Sequence, residues 1–267
     1  MITELTAEPL GKQDELVERV YRQTNLVSTY ANVKLLPPEA VAFIRHRDDI
    51  VGRSVLDIGC GAGRLAVYLK PLVSSYAGVD ISPYMVAHCR RHFPASQFVE
   101  GDMRDLSPFE DCSFDTIIAI SNVFDAVCHL DRLTVLTEVH RVLKPGGLLF
   151  FSAHNRNYIG IGSGPRLLWH RNPLTQIHLL SDYWKASRHH RQLKPQQRFE
   201  SDYALINDSG NNYSSLHYYV SRNNQMRQLV EAGFEPLECL DSVGCILTVA
   251  DCDAEFPSIH YVARKQR

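Results

Sequence analysis

Three carboxylates and a glycine-rich turn carry the first chemical signal in the chain. The apolar run Val55-Leu56-Asp57-Ile58 leads into Gly59-Cys60-Gly61-Ala62-Gly63-Arg64, and a helical pattern follows. Glycines at 59, 61 and 63 permit a tight turn and let a ligand approach the backbone closely. The dehydrogenase fingerprint G-x-G-x-x-G needs glycine where Arg64 stands, so a hydride-transferring dinucleotide enzyme is disfavoured. Asp80 closes the next apolar run, 19 residues after Gly61. A carboxylate at the end of a second strand can accept both hydroxyls of a ribose. A third acid, Asp102, follows the run at 98–99.

Short β-rich runs at 55–58, 76–79, 98–99, 114–120 and 148–152 alternate with helical patterns. One helix is expected to start at Ser82-Pro83, a good N-cap followed by proline at the first helical position, and to stop before Pro94. Another carries Leu130, Leu133, Leu136, Val139 and Leu143 at spacings of three or four, and Lys144-Pro145-Gly146-Gly147 turns the chain after it. This alternation reads as an open, mostly parallel α/β sheet, whose ligands sit outside the carboxyl ends of the strands. The pattern lapses over 154–220. It resumes with a helix near 223–232 and two final strands at 234–240 and 259–263.

Five pieces in order, VLDIGCGAGR, GVDIS, EGDMRDL, FDTIIAISNVF and LKPGGLLFFSAHN, closely resemble the class I S-adenosylmethionine-dependent methyltransferase family over about residues 51–153. The resemblance implies a Rossmann-like, doubly wound, seven-stranded sheet whose last strand is antiparallel, and S-adenosylmethionine as cofactor. It also implies roles. Gly59, Gly61 and Gly63 would line the methionine moiety, and Asp57 would orient the turn. Asp80 would hold the ribose diol, with Ile81 against the adenine. Asp102 would accept from the adenine amino group, with the backbone of Met103 beside the ring. Ser121 would lie near the methionine end.

Methyl transfer from a sulfonium is an in-line displacement, so the protein must align the acceptor and exclude water. A base is needed only for a hydroxyl or a protonated amine. His154, at the carboxyl edge after the fifth strand, is the candidate catalytic base; a histidine bonded to its own loop is the alternative. Asp125 and His129, four apart, could pair on one helix face, and a solvated surface pair is the favoured reading. The run His154-Asn155-Arg156-Asn157-Tyr158 is similar to a segment of small amino-acid N-methyltransferases. Arg156 and Tyr158 are therefore candidate substrate contacts. Arg156 and Arg166 could bind a carboxylate or phosphate.

The segment 154–200 holds eight Lys/Arg against Asp182 and Glu200, a net +6 in a chain whose total is −2. With its aromatic residues, it is expected to form a substrate lid that favours an anionic group. The expected division is an N-terminal helical cap over 1–50, a cofactor-binding core over 51–153, the lid insertion over 154–220, and the closing helix and strands over 221–267. All belong to a single domain, which fits 267 residues.

Composition narrows the remaining classes. Hydrophobic residues at 45% and charged residues at 22% are ordinary for a globular protein and exclude a disordered chain. No apolar run reaches the roughly 18 residues a membrane span needs, and the N-terminus has no apolar run of the secretory kind. The seven cysteines are odd in number with no C-x-x-C pair, as expected of reduced thiols in a cytoplasmic protein. The cysteine spacing marks no zinc site, and no metal is expected.

The expected activity is methyl transfer to N or O of a small molecule. RNA or protein methylation through the basic segment is an alternative, and nucleic acid is disfavoured by the lack of an RNA-binding motif or basic tail. A non-catalytic methyltransferase-like subunit is a third reading, opposed by the intact cofactor constellation.

Overall fold

A computed structural model describes residues 34–267. Most of the expected N-terminal cap lies outside the described residues; its described end forms helices α1 (Pro37–Arg45) and α2 (Arg47–Ile50). The core then alternates β1 (Ser54–Ile58), α3 (Arg64–Leu69), β2 (Ser75–Asp80), α4 (Pro83–His92), β3 (Gln97–Glu100), β4 (Phe114–Ala119), α5 (His129–Val142) and β5 (Leu143–Asn155). The insertion supplies α6 (Pro173–Leu193) and strands β6 (Arg198–Phe199), β7 (Tyr203–Ile206) and β8 (His217–Val220). The chain closes with α7 (Arg222–Glu231), β9 (Phe234–Leu240) and β10 (Ser258–Lys265).

Strands β3, β2, β1, β4 and β5 run parallel in that spatial order. β10 pairs antiparallel with β5 on one side and with β9 on the other, which completes the expected seven strands with the last one antiparallel. The apolar runs alternate between two faces, as a sheet covered on both sides requires. Leu56, Ile58, Ile117 and Ala119 join one buried cluster, and Val55, Ile118 and Ile120 the other.

The insertion does more than cover the sheet edge. β8 pairs in parallel with the tip of β5, His154–Asn155 against Tyr219–Val220, and β7 and β6 follow outward. Three strands that the sequence pattern did not announce thus extend the sheet beyond the end of β5. Their runs are short, with two residues in β6 and four each in β7 and β8, at or below the shortest length at which period-two alternation can be read. Most of the segment's arginines and lysines are exposed, including Arg166, Arg171, Lys185, Arg188 and Arg191 on or before α6.

Candidate active site

The carboxyl ends of β1, β2, β4 and β5 open onto a cleft of about 520 Å³, within the range of small-molecule sites. The turn after β1 forms its floor. Gly59, Gly61 and Gly63 have φ of +66°, +53° and +81°, a left-handed course that favours glycine. A side-chain carbon at Gly61 would meet no atom within 4 Å, so its outer face is free for a ligand. At Gly63 the same carbon would lie 2.7 Å from the Phe93 ring, so that glycine serves helix packing instead.

Asp80 ends β2 beside this turn. Its two oxygens accept from the backbone N–H groups of Gly61 (2.8 Å) and Ser82 (2.9 Å), which ties the turn after β1 to the turn after β2. Burial raises its carboxyl pKa, and the two amide bonds oppose the rise. Asp57 sits below the turn, fully buried, and accepts from Tyr76 Oη at 2.6 Å. Burial pushes its carboxyl up to about 7. Asp102 is half-buried; burial pushes its carboxyl up, but hydrogen bonds from Arg104 at 2.6–3.0 Å outweigh that and hold it below its ordinary value. Ile81, Met103 and Ser121 also line the cleft, so every residue expected at the cofactor except Gly63 borders one volume.

Sequence reasoning missed several groups here. Arg64 is tied to the buried Glu39 (2.7 and 2.9 Å) and reaches Ser121 Oγ at 3.4 Å. Ser121 and Asn122 both have left-handed φ, +62° and +57°. Such strain in non-glycine residues clusters at functional sites.

His154 stands at the other end of the cleft. Its Nδ1 lies 2.8 Å from Asp125 Oδ2, a charge contact rather than an aligned hydrogen bond. Its backbone N–H donates to the same oxygen at 2.6 Å. Asp125 Oδ1 in turn accepts from the fully buried Arg132 at 2.5 Å. The expected Asp125–His129 surface pair is therefore corrected. Asp125 lies in a short 3-10 turn before α5, so the two share no helix face. Asp125 is fully buried, and His129 contacts Tyr218 Oη at 2.8 Å.

The insertion brings His217, Gly210 and Asn211 to the same cleft. His217 Nδ1 lies 2.8 Å from Asp208 Oδ1, and Tyr219 Oη donates to Asp208 Oδ2 at 2.6 Å. Asp208 is 3.9 Å from His154 Nε2. Burial works against charge on both groups. The neighbouring His217 and His154 nevertheless hold the Asp208 carboxyl well below its ordinary value, and Asp125 and Asp208 raise the His154 pKa. The histidine and acid of the insertion come from two elements and have no spacing that could have announced them.

Arg156 and Tyr158 are not brought to the cleft. Arg156 donates to the Ser201 carbonyl at 3.0 Å, and the Tyr158 ring packs over Gly160. Arg166 is exposed and also stands apart from it.

Comparison with known proteins agrees with this geometry. Residues 56–151 match the methyltransferase domain family. A probable phthiotriol/phenolphthiotriol dimycocerosates methyltransferase 2 of Mycobacterium ulcerans is 40% identical over 108 residues, 39% of this chain and 40% of that one. A fatty-acid O-methyltransferase of Mycolicibacterium smegmatis is 37% identical over 116 residues, 41% of this chain and 40% of that one. The chain thus spans about two fifths of the length of these curated relatives.

Among solved structures, an S-adenosylmethionine-dependent methyltransferase of Clostridium acetobutylicum superposes with a TM-score of 0.61 at 15% identity, covering 90% of this chain and 95% of that one. A Burkholderia thailandensis 1,6-didemethyltoxoflavin-N1-methyltransferase, with S-adenosylhomocysteine bound, gives 0.59 at 16%, covering 98% and 93%. Residues 56–151 thus resemble a methyltransferase domain, and the chain shares the fold of solved S-adenosylmethionine-dependent methyltransferases.

Proposed function

We propose that this chain transfers a methyl group from S-adenosylmethionine to an oxygen or nitrogen of a small acceptor seated at the His154 end of the cleft. The observation that carries the reading is continuity: the glycine turn, Asp80 and His154 border one volume. The residues present fit the cofactor. The open face of Gly61 admits its methionine part, and Asp80 stands where its carboxylate would accept from the ribose diol. Ile81 and Met103 offer apolar walls to the adenine. Asp102, clamped by Arg104, has fewer lone pairs left for an adenine amino group than the family pattern implies. Bound there, the sulfonium supplies an activated methyl group and a neutral thioether leaving group.

The protein's own part is alignment, dryness and proton handling. Val123, Ala126 and Val127 line the cleft between the two ends and suit an acceptor with an apolar body. The two curated relatives are named for lipid substrates, which supports including such acceptors among the candidates. Asp125 favours the His154 tautomer protonated at Nδ1, leaving Nε2 with a lone pair that takes the acceptor's proton. The insertion would close over this end through Gly210, Asn211 and His217.

A labelled-methyl transfer screen across hydroxyl, amine and carboxylate acceptors, fatty acids included, tests the reading. The expected result is transfer that falls in His154→Ala while calorimetric affinity for S-adenosylhomocysteine stays within a few-fold. Failure of the wild-type chain to bind S-adenosylhomocysteine would overturn it.

A further inference from the structure

His154, Asp208 and His217 each present one ligand-type atom within 4.8 Å of the others, at the acceptor end of the cleft. We propose that these three residues form a divalent metal site, taking an ion of the Zn²⁺ or Co²⁺ type. The donor set is two imidazoles and one carboxylate, which suits borderline ions. Three ligands held at about 2.1 Å from a tetrahedral ion lie roughly 3.4 Å apart. Asp208 reaches His217 Nδ1 through Oδ1 at 2.8 Å and His154 Nε2 through Oδ2 at 3.9 Å, and one ligand atom from each of the three residues lies within 4.8 Å of the others.

The surroundings are those of a supported site. Metal-bound histidines and carboxylates are held by outer partners that fix their orientation. Here each ligand has one. Asp125 stands against Nδ1 of His154 and leaves Nε2 for the ion. Ser215 Oγ lies 3.0 Å from His217 Nε2 and leaves Nδ1. Tyr219 Oη and the Gly210 N–H each hold one oxygen of Asp208, at 2.6 and 2.8 Å. His154 stacks against both His217 and Tyr219, with ring centroids 5.4 and 4.8 Å away, which restrains rotation of its imidazole. Both histidines line the cleft, so a remaining coordination position faces the acceptor. No short-range motif announces the site, because its ligands come from β5, from the loop after β7 and from β8.

Binding of the ion needs nothing from the proposed reaction. Its use rests on that reading: an ion on His154 Nε2 would replace the free imidazole as the group that meets the acceptor.

The test is titration of the full chain, dialysed against a chelator, with CoCl₂. Visible ligand-field bands and calorimetry read site geometry and stoichiometry. The expected result is one Co²⁺ per chain, displaced by Zn²⁺. Asp208→Asn and His217→Ala should each weaken binding by more than about tenfold, since loss of an outer partner alone costs that much. S-adenosylhomocysteine affinity, measured on the same samples, should stay within a few-fold and show that the folded cleft persists. Absence of stoichiometric Co²⁺ uptake by the wild-type chain, or uptake undiminished in the near-isosteric Asp208→Asn variant, would sink the proposal. Co²⁺ uptake without S-adenosylhomocysteine binding would leave the metal site standing and remove the methyltransferase reading; the converse would leave the His154 base.

Discussion

Asp80 does two jobs with one carboxylate. It fastens two turns through backbone amides, and its remaining lone pairs face the cleft. Asp80→Asn keeps the shape but turns an NH₂ group toward one of those amides and removes the charge. Loss of a charged acceptor is worth about 1.5–3 kcal/mol, so calorimetry should show S-adenosylhomocysteine affinity falling by roughly ten- to a hundredfold. Asp125 carries a different burden. Both it and Arg132 are fully buried, and their pairing neutralises charge that water cannot reach. Removing one member of a buried pair costs about 3–5 kcal/mol, so Asp125→Asn should lower unfolding stability by that order in urea titrations.

These two residues also mark what the sequence disclosed. Asp80 was legible because it closes an apolar run at a fixed distance from a glycine turn. Asp125 was not, because the i, i+4 reading assumes one helix through both residues. The helix starts only at His129.

The glycine turn separates two uses of one residue type. Gly61 and Gly63 share left-handed φ but differ in what their missing side chains would meet. Gly61→Ala should cost only the left-handed penalty, roughly 1–2 kcal/mol, yet place a methyl group in the open space of the cleft where the proposed cofactor would lie. Gly63→Ala should add a collision with Phe93 and Cys89 Sγ, about 1–3 kcal/mol more. The expected pattern is a folded but cofactor-blind Gly61→Ala and a Gly63→Ala with the lower melting temperature. Thermal melts with and without S-adenosylhomocysteine check both. Elements of the core were readable because each obeys a strong local rule. Proline follows the N-cap position of α4 at Ser82-Pro83, and β4 is a long apolar run. The strands β6 to β8 obey a non-local one, since they exist by pairing onto the tip of β5.

Across the whole molecule, buried ionisable groups set the response to pH. His260 on β10 is buried beside Phe150, its Nδ1 without a partner among the described residues, and burial pushes its pKa down to about 4. The unfolded chain protonates this histidine near its ordinary value of about 6.5, whereas the folded chain resists. The unfolded state therefore binds more protons between those values, and stability falls as pH drops from about 6.5 toward 4. His260→Leu removes that loss. Its stability relative to wild type should rise by about 2 kcal/mol between pH 7 and pH 4.5, as read from urea midpoints at those two values. A constant difference at both pH values would contradict the assignment.

The pairing of β8 with β5 has a mechanical consequence. The strand that carries His154 is bonded through its last two residues to β8 of the insertion, whose Gly210, Asn211 and His217 border the same cleft. A roof hung on its own hinge can swing without disturbing the floor; this one is stitched to it. Lifting β7 and β8 away would pull at the seat of His154. The turn at 210–213, where Asn211, Asn212 and Tyr213 hold left-handed φ against α6, takes no part in that pairing. An acceptor admitted past that turn would leave the strand under His154 undisturbed.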